Sequence, residues 1–381
     1  MSGKRWLSFF IVLVFLCSIC SYARAENPSL DVKADSAILM DADSGKVLYE
    51  KNPDSKLPPA SMTKLMTLVL GIEALEQGKV KKTEKVVASE NAWKLGGSQI
   101  YLEPGEEMTY QDMLISIAVG SANDACVAVA EHLDGSHEVF VDHMNREAKK
   151  VGMKNTHFVN AYGLPAEGHY SCARDMALLG RYALNFPDIL EYTGIKEYSL
   201  RNGEFKLYNT NKLLWWYKGA DGFKTGWTNE AKYCLVSTVK RNDLRLVATV
   251  MASPEPRGNF RDSMALFNYG FARYSYRSFS KRGSICGAIK VGKGTVEMVK
   301  VVAADNIGTI CPKGEESKVT CRKQIDSYIN APFKKGTVVG KAVVCCDGKQ
   351  VKTVNLVTEK GVEKSSLWDA LKKMWSKIFI F

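Results

Sequence analysis

Three short groups of residues in this 381-residue chain have the types needed to cleave an amide through a covalent intermediate. The first is Ser61-Met62-Thr63-Lys64, directly after Pro58-Pro59-Ala60. Residues three apart share a face of a helix, so the Lys64 amine would sit one turn from the Ser61 hydroxyl. A serine hydroxyl is a weak nucleophile and needs a base. Lysine serves as that base only when burial or a neighbouring cation destabilises its ammonium form. A helix start also aims free backbone N–H groups at a developing oxyanion. Alone, such a Ser/Lys pair is most often a solvated one. The second group is Ser121-Ala122-Asn123, and the third is Lys224-Thr225-Gly226 followed by Trp227. A second serine can pass protons between Lys64, Lys224 and a leaving group. Lys224 can bind a carboxylate and depress the basicity of Lys64, and Gly226 permits a substrate backbone to run close beside a strand. Together, and in this order, the three groups are hard to read as unrelated solvated loops.

The elements that must hold these residues are legible from periodicity. Ala37 to Met40 and Lys46 to Tyr49 read as a hairpin around the turn residues Asp43-Ser44-Gly45. From Ser61 to Leu75, apolar residues recur at three and four, which predicts a helix. Tyr110 to His132 is helical with a break at Gly120; Val139 to Val151 and Ala173 to Leu184 are further helices. Ala231 to Lys240 and Arg245 to Ala252 read as a second hairpin across Arg241-Asn242-Asp243, and Met264 to Ala272 as a closing helix. Strands thus flank a helical middle, which predicts an α/β (α+β) fold: an antiparallel sheet with an inserted helical subdomain. After a junction near Phe279 to Gly283 the texture becomes a small β-rich unit over 283–360.

Ser-x-x-Lys, Ser-x-Asn and Lys-Thr-Gly in this order resemble the signature of penicillin-recognising serine enzymes. Asp41 to Tyr49, Pro58 to Thr67, Asn160 to Leu164 and His169 to Met176 narrow the resemblance to the low-molecular-mass D-alanyl-D-alanine carboxypeptidases of the S11 peptidase type. The similarity is strong over about 34–275, within a catalytic domain taken as 26–279. It implies that Ser61 is acylated, Lys64 is its base, Ser121 assists proton transfer, and Asn123 orients substrate and Lys64. It further implies that Lys224 and Thr225 hold the substrate's terminal carboxylate, with Gly226 beside them, and that the oxyanion is held by the backbone N–H groups of Ser61 and Trp227. Many relatives carry His where this chain has Trp227. At the place of a family arginine this chain has Asn259, with Arg257 and Arg261 on either side, and neither is assigned the role. Arg174 matches a family arginine and reads as structural. The implied substrate is a peptidoglycan stem peptide ending in D-Ala-D-Ala, with β-lactam antibiotics as acylating inhibitors.

Two other readings share some of these residues. A class A-like β-lactamase would need a glutamate with an asparagine four residues on, and Glu167 has Ser171 there instead. A non-catalytic peptidoglycan-binding relative would be expected to have lost Ser61 or Lys64, and both are present.

Composition sets the remaining bounds. Hydrophobic residues make up 46% and charged residues 24%, enough for a buried core without disulfides. Lys4 and Arg5, the apolar run Trp6 to Ile19 and Ala23-Arg24-Ala25 read as a signal peptide over 1–25. The expected location is therefore outside the cytoplasm, peripheral to the outer face of the membrane or in the wall. The net charge of +11 suits an anionic surface, and no nucleic-acid module is present. Cys126, Cys172 and Cys234 read as core residues, while Cys311 and Cys321 could close a small disulfide loop. No cofactor or metal is expected; His132, His137 and His143 lack metal-site spacing and read as solvated or capping. Over 364–381, Leu367, Trp368, Leu371, Met374, Trp375, Ile378 and Phe379 fall on one helical stripe with lysines off it. This basic amphipathic pattern is suited to lying in a membrane interface.

Overall fold

The computed structural model describes residues 30–366. The first strands are β1 (Ser36–Asp41) and β2 (Val47–Lys51), joined by the Asp43-Ser44-Gly45 turn. Asp41 closes that turn by accepting hydrogen bonds from the Ser44 backbone N–H and hydroxyl. A single 3₁₀ turn, Ala60–Thr63, leads into α1 (Lys64–Glu76). Apart from Thr67 and Glu73 this helix is apolar from Leu65 to Ala74, and it accordingly lies largely inside the domain rather than on it. Around it stand α2 (Tyr110–Ile115), α3 (Asn123–Asp134), α4 (His137–Val151) and α5 (Ala173–Ala183).

The chain then returns to the sheet through β3 (Ala220–Thr228), β4 (Lys232–Arg241) and β5 (Leu244–Ser253), and closes with α6 (Gly258–Arg273). The sheet order is β2-β1-β5-β4-β3, with every pair antiparallel. Side chains alternate across a strand, and β1 shows the consequence. Ile38 and Met40 enter the core shared with α1 and α5, whereas Ala37 and Leu39 join Leu266 and Phe267 of α6 on the other face. Chain order leaves β3 at the sheet edge, with no further strand of the sheet along its outer side.

The structure bears out the mixed fold and refines several boundaries. The break at Gly120 is a turn of π-helix over Ser116–Gly120, followed by Ser121 in a left-handed conformation at φ +59°. Helix α6 starts six residues before the expected Met264, because its first two turns bury Asn259, Asp262 and Ser263, polar residues that periodicity does not mark as core. A hairpin over Glu197–Leu200 and Phe205–Tyr208 and a short helix at Leu213–Trp216 were not expected from the sequence.

The C-terminal part is all β. It contains β6 (Tyr274–Ser280), β7 (Ile285–Gly292), β8 (Met298–Ala303), β9 (Ile307–Pro312), β10 (Val319–Ile325), β11 (Tyr328–Asn330), β12 (Val338–Cys346) and β13 (Lys349–Thr358). Six of these form one sheet in the order β10-β12-β13-β8-β7-β11, while β6 pairs with β9. Its strand pairing therefore begins at Tyr274, ahead of the Phe279 to Gly283 junction. Cys311 and Cys321 are both free thiols, so the disulfide loop is not formed. Asp43 on the β1–β2 turn clasps the two parts, accepting from Lys352 Nζ at 2.6 Å and from the Tyr276 hydroxyl at 3.0 Å. Lys364 forms an isolated bridge with Gly294. The amphipathic pattern from Leu367 onward and the expected signal peptide over 1–25 lie outside the described residues. Among the described residues no helix is long and apolar enough to cross a membrane.

Candidate active site

Ser61 and Lys64 stand at the junction of the 3₁₀ turn and α1, as their spacing requires. Lys64 is fully buried, and its Nζ lies 2.9 Å from Ser61 Oγ. Two further oxygens hold the same nitrogen: Asn123 Oδ1 at 2.7 Å and the Tyr162 carbonyl at 2.6 Å. Neither carries a negative charge. Burial accordingly pushes the Lys64 ammonium down to about 8, against the milder raising influence of Cys126 and Asp124. As a neutral amine, Lys64 would donate its two hydrogens to Asn123 and Tyr162 and turn its lone pair to the Ser61 hydroxyl. The site thus pre-orients a base toward its nucleophile.

Each of these partners is fixed from behind. Asn123 donates from Nδ2 to the Gly96 carbonyl at 2.7 Å, which orients Oδ1 to Lys64. Next to it, the buried Asp124 carboxylate accepts the backbone N–H groups of Ile100 and Leu102, tying that loop to the start of α3. Tyr162 lies in a loop gathered by Asn160, whose Oδ1 accepts the N–H groups of Tyr162 and Gly163. Thr67 of α1 donates to the Ala161 carbonyl at 2.6 Å, and His137 stacks on the Tyr162 ring at 5.5 Å. Gly163, at φ +89°, passes so close to the nucleophile turn that a Cβ there would lie 2.0 Å from the Ala60 carbonyl oxygen.

Lys224 and Thr225 lie on the edge strand β3. Lys224 is 1% exposed, and burial first, then the neighbouring Lys64 charge, push its ammonium down to about 7. The two lysines are close enough to repel one another, which disfavours two charges at once. Gly226 does permit a close approach, but the partner is the chain's own turn: a Cβ would lie 2.7 Å from the Pro59 carbonyl oxygen and 3.1 Å from Ala60 Cβ. Trp227 is 56% exposed on the rim, its ring 6.2 Å from that of Tyr233. Ser121 is buried two residues ahead of Asn123, and its hydroxyl has no hydrogen bond among the described residues.

The structure brings Ser61, Lys64 and Asn123 into direct contact and sets Lys224 within electrostatic reach of Lys64. Sequence reasoning missed the Tyr162 carbonyl and Thr210, whose hydroxyl meets Thr225 Oγ1 at 2.6 Å. Other residues stand away from the chemistry. Arg174 pairs with Asp54 and Glu50, Arg261 with Glu255, and Arg257 stacks over Trp216. Asn259 donates to the Cys234 carbonyl. Glu167 lies exposed on a loop. His132 pairs with Glu84 and His143 with Asp134, and no metal-holding cluster occurs among the described residues.

Comparison with known proteins agrees with this geometry. A family model described as D-alanyl-D-alanine carboxypeptidase matches residues 22–255, and one described as penicillin-binding protein 5, C-terminal domain, matches 274–364. The chain is 39% identical to a D-alanyl-D-alanine carboxypeptidase, DacF, of Bacillus subtilis, over 98% of this chain and 99% of that one. It is 36% identical to DacA of Haemophilus influenzae over 89% of each chain. Among solved structures, penicillin binding protein 5 from Haemophilus influenzae superposes with a TM-score of 0.70 at 34% identity, covering 87% of this chain and 98% of that one. Penicillin-Binding Protein D2 from Listeria monocytogenes, in its ampicillin-bound form, superposes with a TM-score of 0.59 at 33% identity, over 64% and 100% of the two chains.

Proposed function

This chain belongs to the D-alanyl-D-alanine carboxypeptidase family of penicillin-binding proteins, and from that membership we propose which of its residues remove the terminal D-alanine of a peptidoglycan stem peptide. The observation that carries the assignment is Lys64: a fully buried amine, 2.9 Å from Ser61 Oγ and otherwise bound only by neutral oxygens.

The substrate's terminal carboxylate enters beside Lys224 and Thr225 on the β3 edge. A carboxylate favours the charged form of a nearby lysine, so it draws the proton shared around the two lysines to Lys224 and leaves Lys64 neutral. Ser61 Oγ then attacks the carbonyl carbon between the last two D-alanines while its proton passes to Lys64 Nζ. The backbone N–H groups of Ser61 and Trp227 receive the oxyanion. Collapse breaks the C–N bond, and the departing amine of D-alanine takes the proton from Lys64 by way of Ser121, which leaves Lys64 neutral again. Water, with Lys64 again as base, hydrolyses the Ser61 ester. A β-lactam enters the same path and leaves its opened ring on Ser61. The absence of a carboxylate contact to Ser61 or Lys64 among the described residues argues for this reading over a β-lactamase, whose glutamate would prepare the deacylating water.

The basic, aromatic stripe of the last residues and the N-terminal apolar run support an exported enzyme held peripherally at the membrane by that stripe. The test of the chemistry is release of D-alanine from a pentapeptide by the wild-type chain and by Ser61→Ala. The variant should release none above background while keeping the wild-type melting temperature; release at the normal rate would end the assignment.

A further inference from the structure

Asn209-Thr210-Asn211 forms a strap beside the β3 edge, and its two asparagines are fully buried. Asn209 donates from Nδ2 to the carbonyls of Thr193 and Ile195, at 3.1 and 2.7 Å, and its Oδ1 accepts the Asn211 N–H at 2.8 Å. Asn211 Oδ1 in turn accepts the Leu213 N–H at 3.2 Å. Thr210 is therefore held between two anchored side chains. Its hydroxyl oxygen lies 2.6 Å from Thr225 Oγ1 and 3.5 Å from Lys224 Nζ. The other contact of Lys224 Nζ is the Thr225 carbonyl at 3.4 Å. Both lysine contacts are long for hydrogen bonds, so the buried Lys224 amine stands short of close partners until an anion arrives.

We infer that Thr210 is a positioning residue for substrate recognition, one that aims the Thr225 hydroxyl at the carboxylate of the leaving D-alanine. The inference rests on the reading of Lys224 and Thr225 as the holders of that carboxylate. Hydroxyl valence makes the step simple. In the free enzyme Thr225 donates its hydrogen to Thr210. When a carboxylate arrives, Thr225 must donate to it, and its oxygen then needs a donor in return. Thr210 supplies one by rotating its own O–H toward Thr225, with no heavy atom moving, and its free lone pair continues to face Lys224. Two hydroxyls in series polarise one another, which strengthens the bond to the anion.

The test compares wild type, Thr210→Val, Thr210→Ala, Thr210→Ser and Thr225→Val on a pentapeptide ending in D-Ala-D-Ala and on its C-terminal carboxamide. Thr210→Val and Thr210→Ala should raise KM for the acid about tenfold, the scale of a hydrogen bond to a charged group, and leave kcat within about twofold. The preference for acid over carboxamide should fall by the same factor of about ten, and Thr210→Ser should restore it. Equal losses on both peptides in Thr210→Val and Thr210→Ala, or an unchanged preference, would overturn the role of Thr210, provided Thr225→Val weakens that preference. If Thr225→Val also leaves the preference intact, the carboxylate site itself is wrongly placed, and the inference falls with it.

Discussion

At Lys64, two of three hydrogen-bonding directions are taken by oxygens of Asn123 and Tyr162, and the third points to Ser61. A side chain held this way has one task available once it loses its proton. Because burial lowers its proton affinity to about 8, the fraction of neutral Lys64 rises through the range just above neutrality instead of above pH 10. The rate of acylation by penicillin should therefore climb from about pH 6, pass half its maximum near 8 and level above about 9, an outcome read by rapid-mixing kinetics. A limb that continued to rise past pH 10 would show an ordinary, solvated lysine. Lys64→Met removes the base without shortening the side chain and should slow acylation by about a thousandfold. Much at this scale was legible in the sequence, because Ser61, Lys64 and Asn123 act through their side-chain types. The Tyr162 carbonyl was not, since every residue carries one and its partner lies 98 positions away. Thr210 escaped for a related reason: a lone hydroxyl in a loop has no periodicity or spacing to mark it.

Between elements, the site depends on close approaches that only glycine allows. The nucleophile turn is gripped from one side by the loop at Gly163 and from the other by β3 at Gly226. Gly226→Ala would push β3 against Pro59 and Ala60, and should slow acylation by at least about tenfold and lower the melting temperature together. Wild-type acylation in that variant would show that the strand and turn move independently. His169 braces the same turn from below. It is buried, accepts the Val159 N–H at Nδ1 and meets Thr63 Oγ1 from Nε2 at 2.9 Å. Burial lowers its proton affinity from the ordinary 6.5 to about 4. The unfolded chain therefore takes up this proton first as pH falls, and stability contributed above pH 6.5 is lost on the way down to 4, by up to about 3 kcal/mol. Melting curves over that range should flatten in His169→Gln, and an equal slope in both proteins would exclude this cause. Helix cores and the two hairpins of the first sheet followed from apolar periodicity. The early start of α6 did not, because Asn259, Asp262 and Ser263 are buried polar groups satisfied by tertiary contacts such as the Asp262 carboxylate with the Ala34 N–H.

The whole molecule joins a catalytic domain to a β unit through contacts far from the chemistry, chiefly the Asp43 clasp with Lys352 and Tyr276. The composition reading anticipated the β texture of the second part but placed its start at Phe279 to Gly283; β6, whose seven residues include Ser275, Arg277, Ser278 and Ser280, is too polar in pattern to reveal that it pairs with β9. If the basic aromatic stripe beyond Ser366 anchors the enzyme, a chain ending at Ser366 should move from the membrane fraction to the soluble one while acylating at the wild-type rate. Retention of the shortened chain on membranes would locate the anchor elsewhere.

The central claim is that one hydroxyl, on Ser61, becomes covalently bonded to substrate. Mass spectrometry of the intact protein after brief exposure to benzylpenicillin, followed by peptide mapping, tests it most directly. The account predicts a single adduct on the peptide carrying Ser61, absent from Ser61→Ala. An adduct on any other residue, or one that persists in Ser61→Ala, would contradict it.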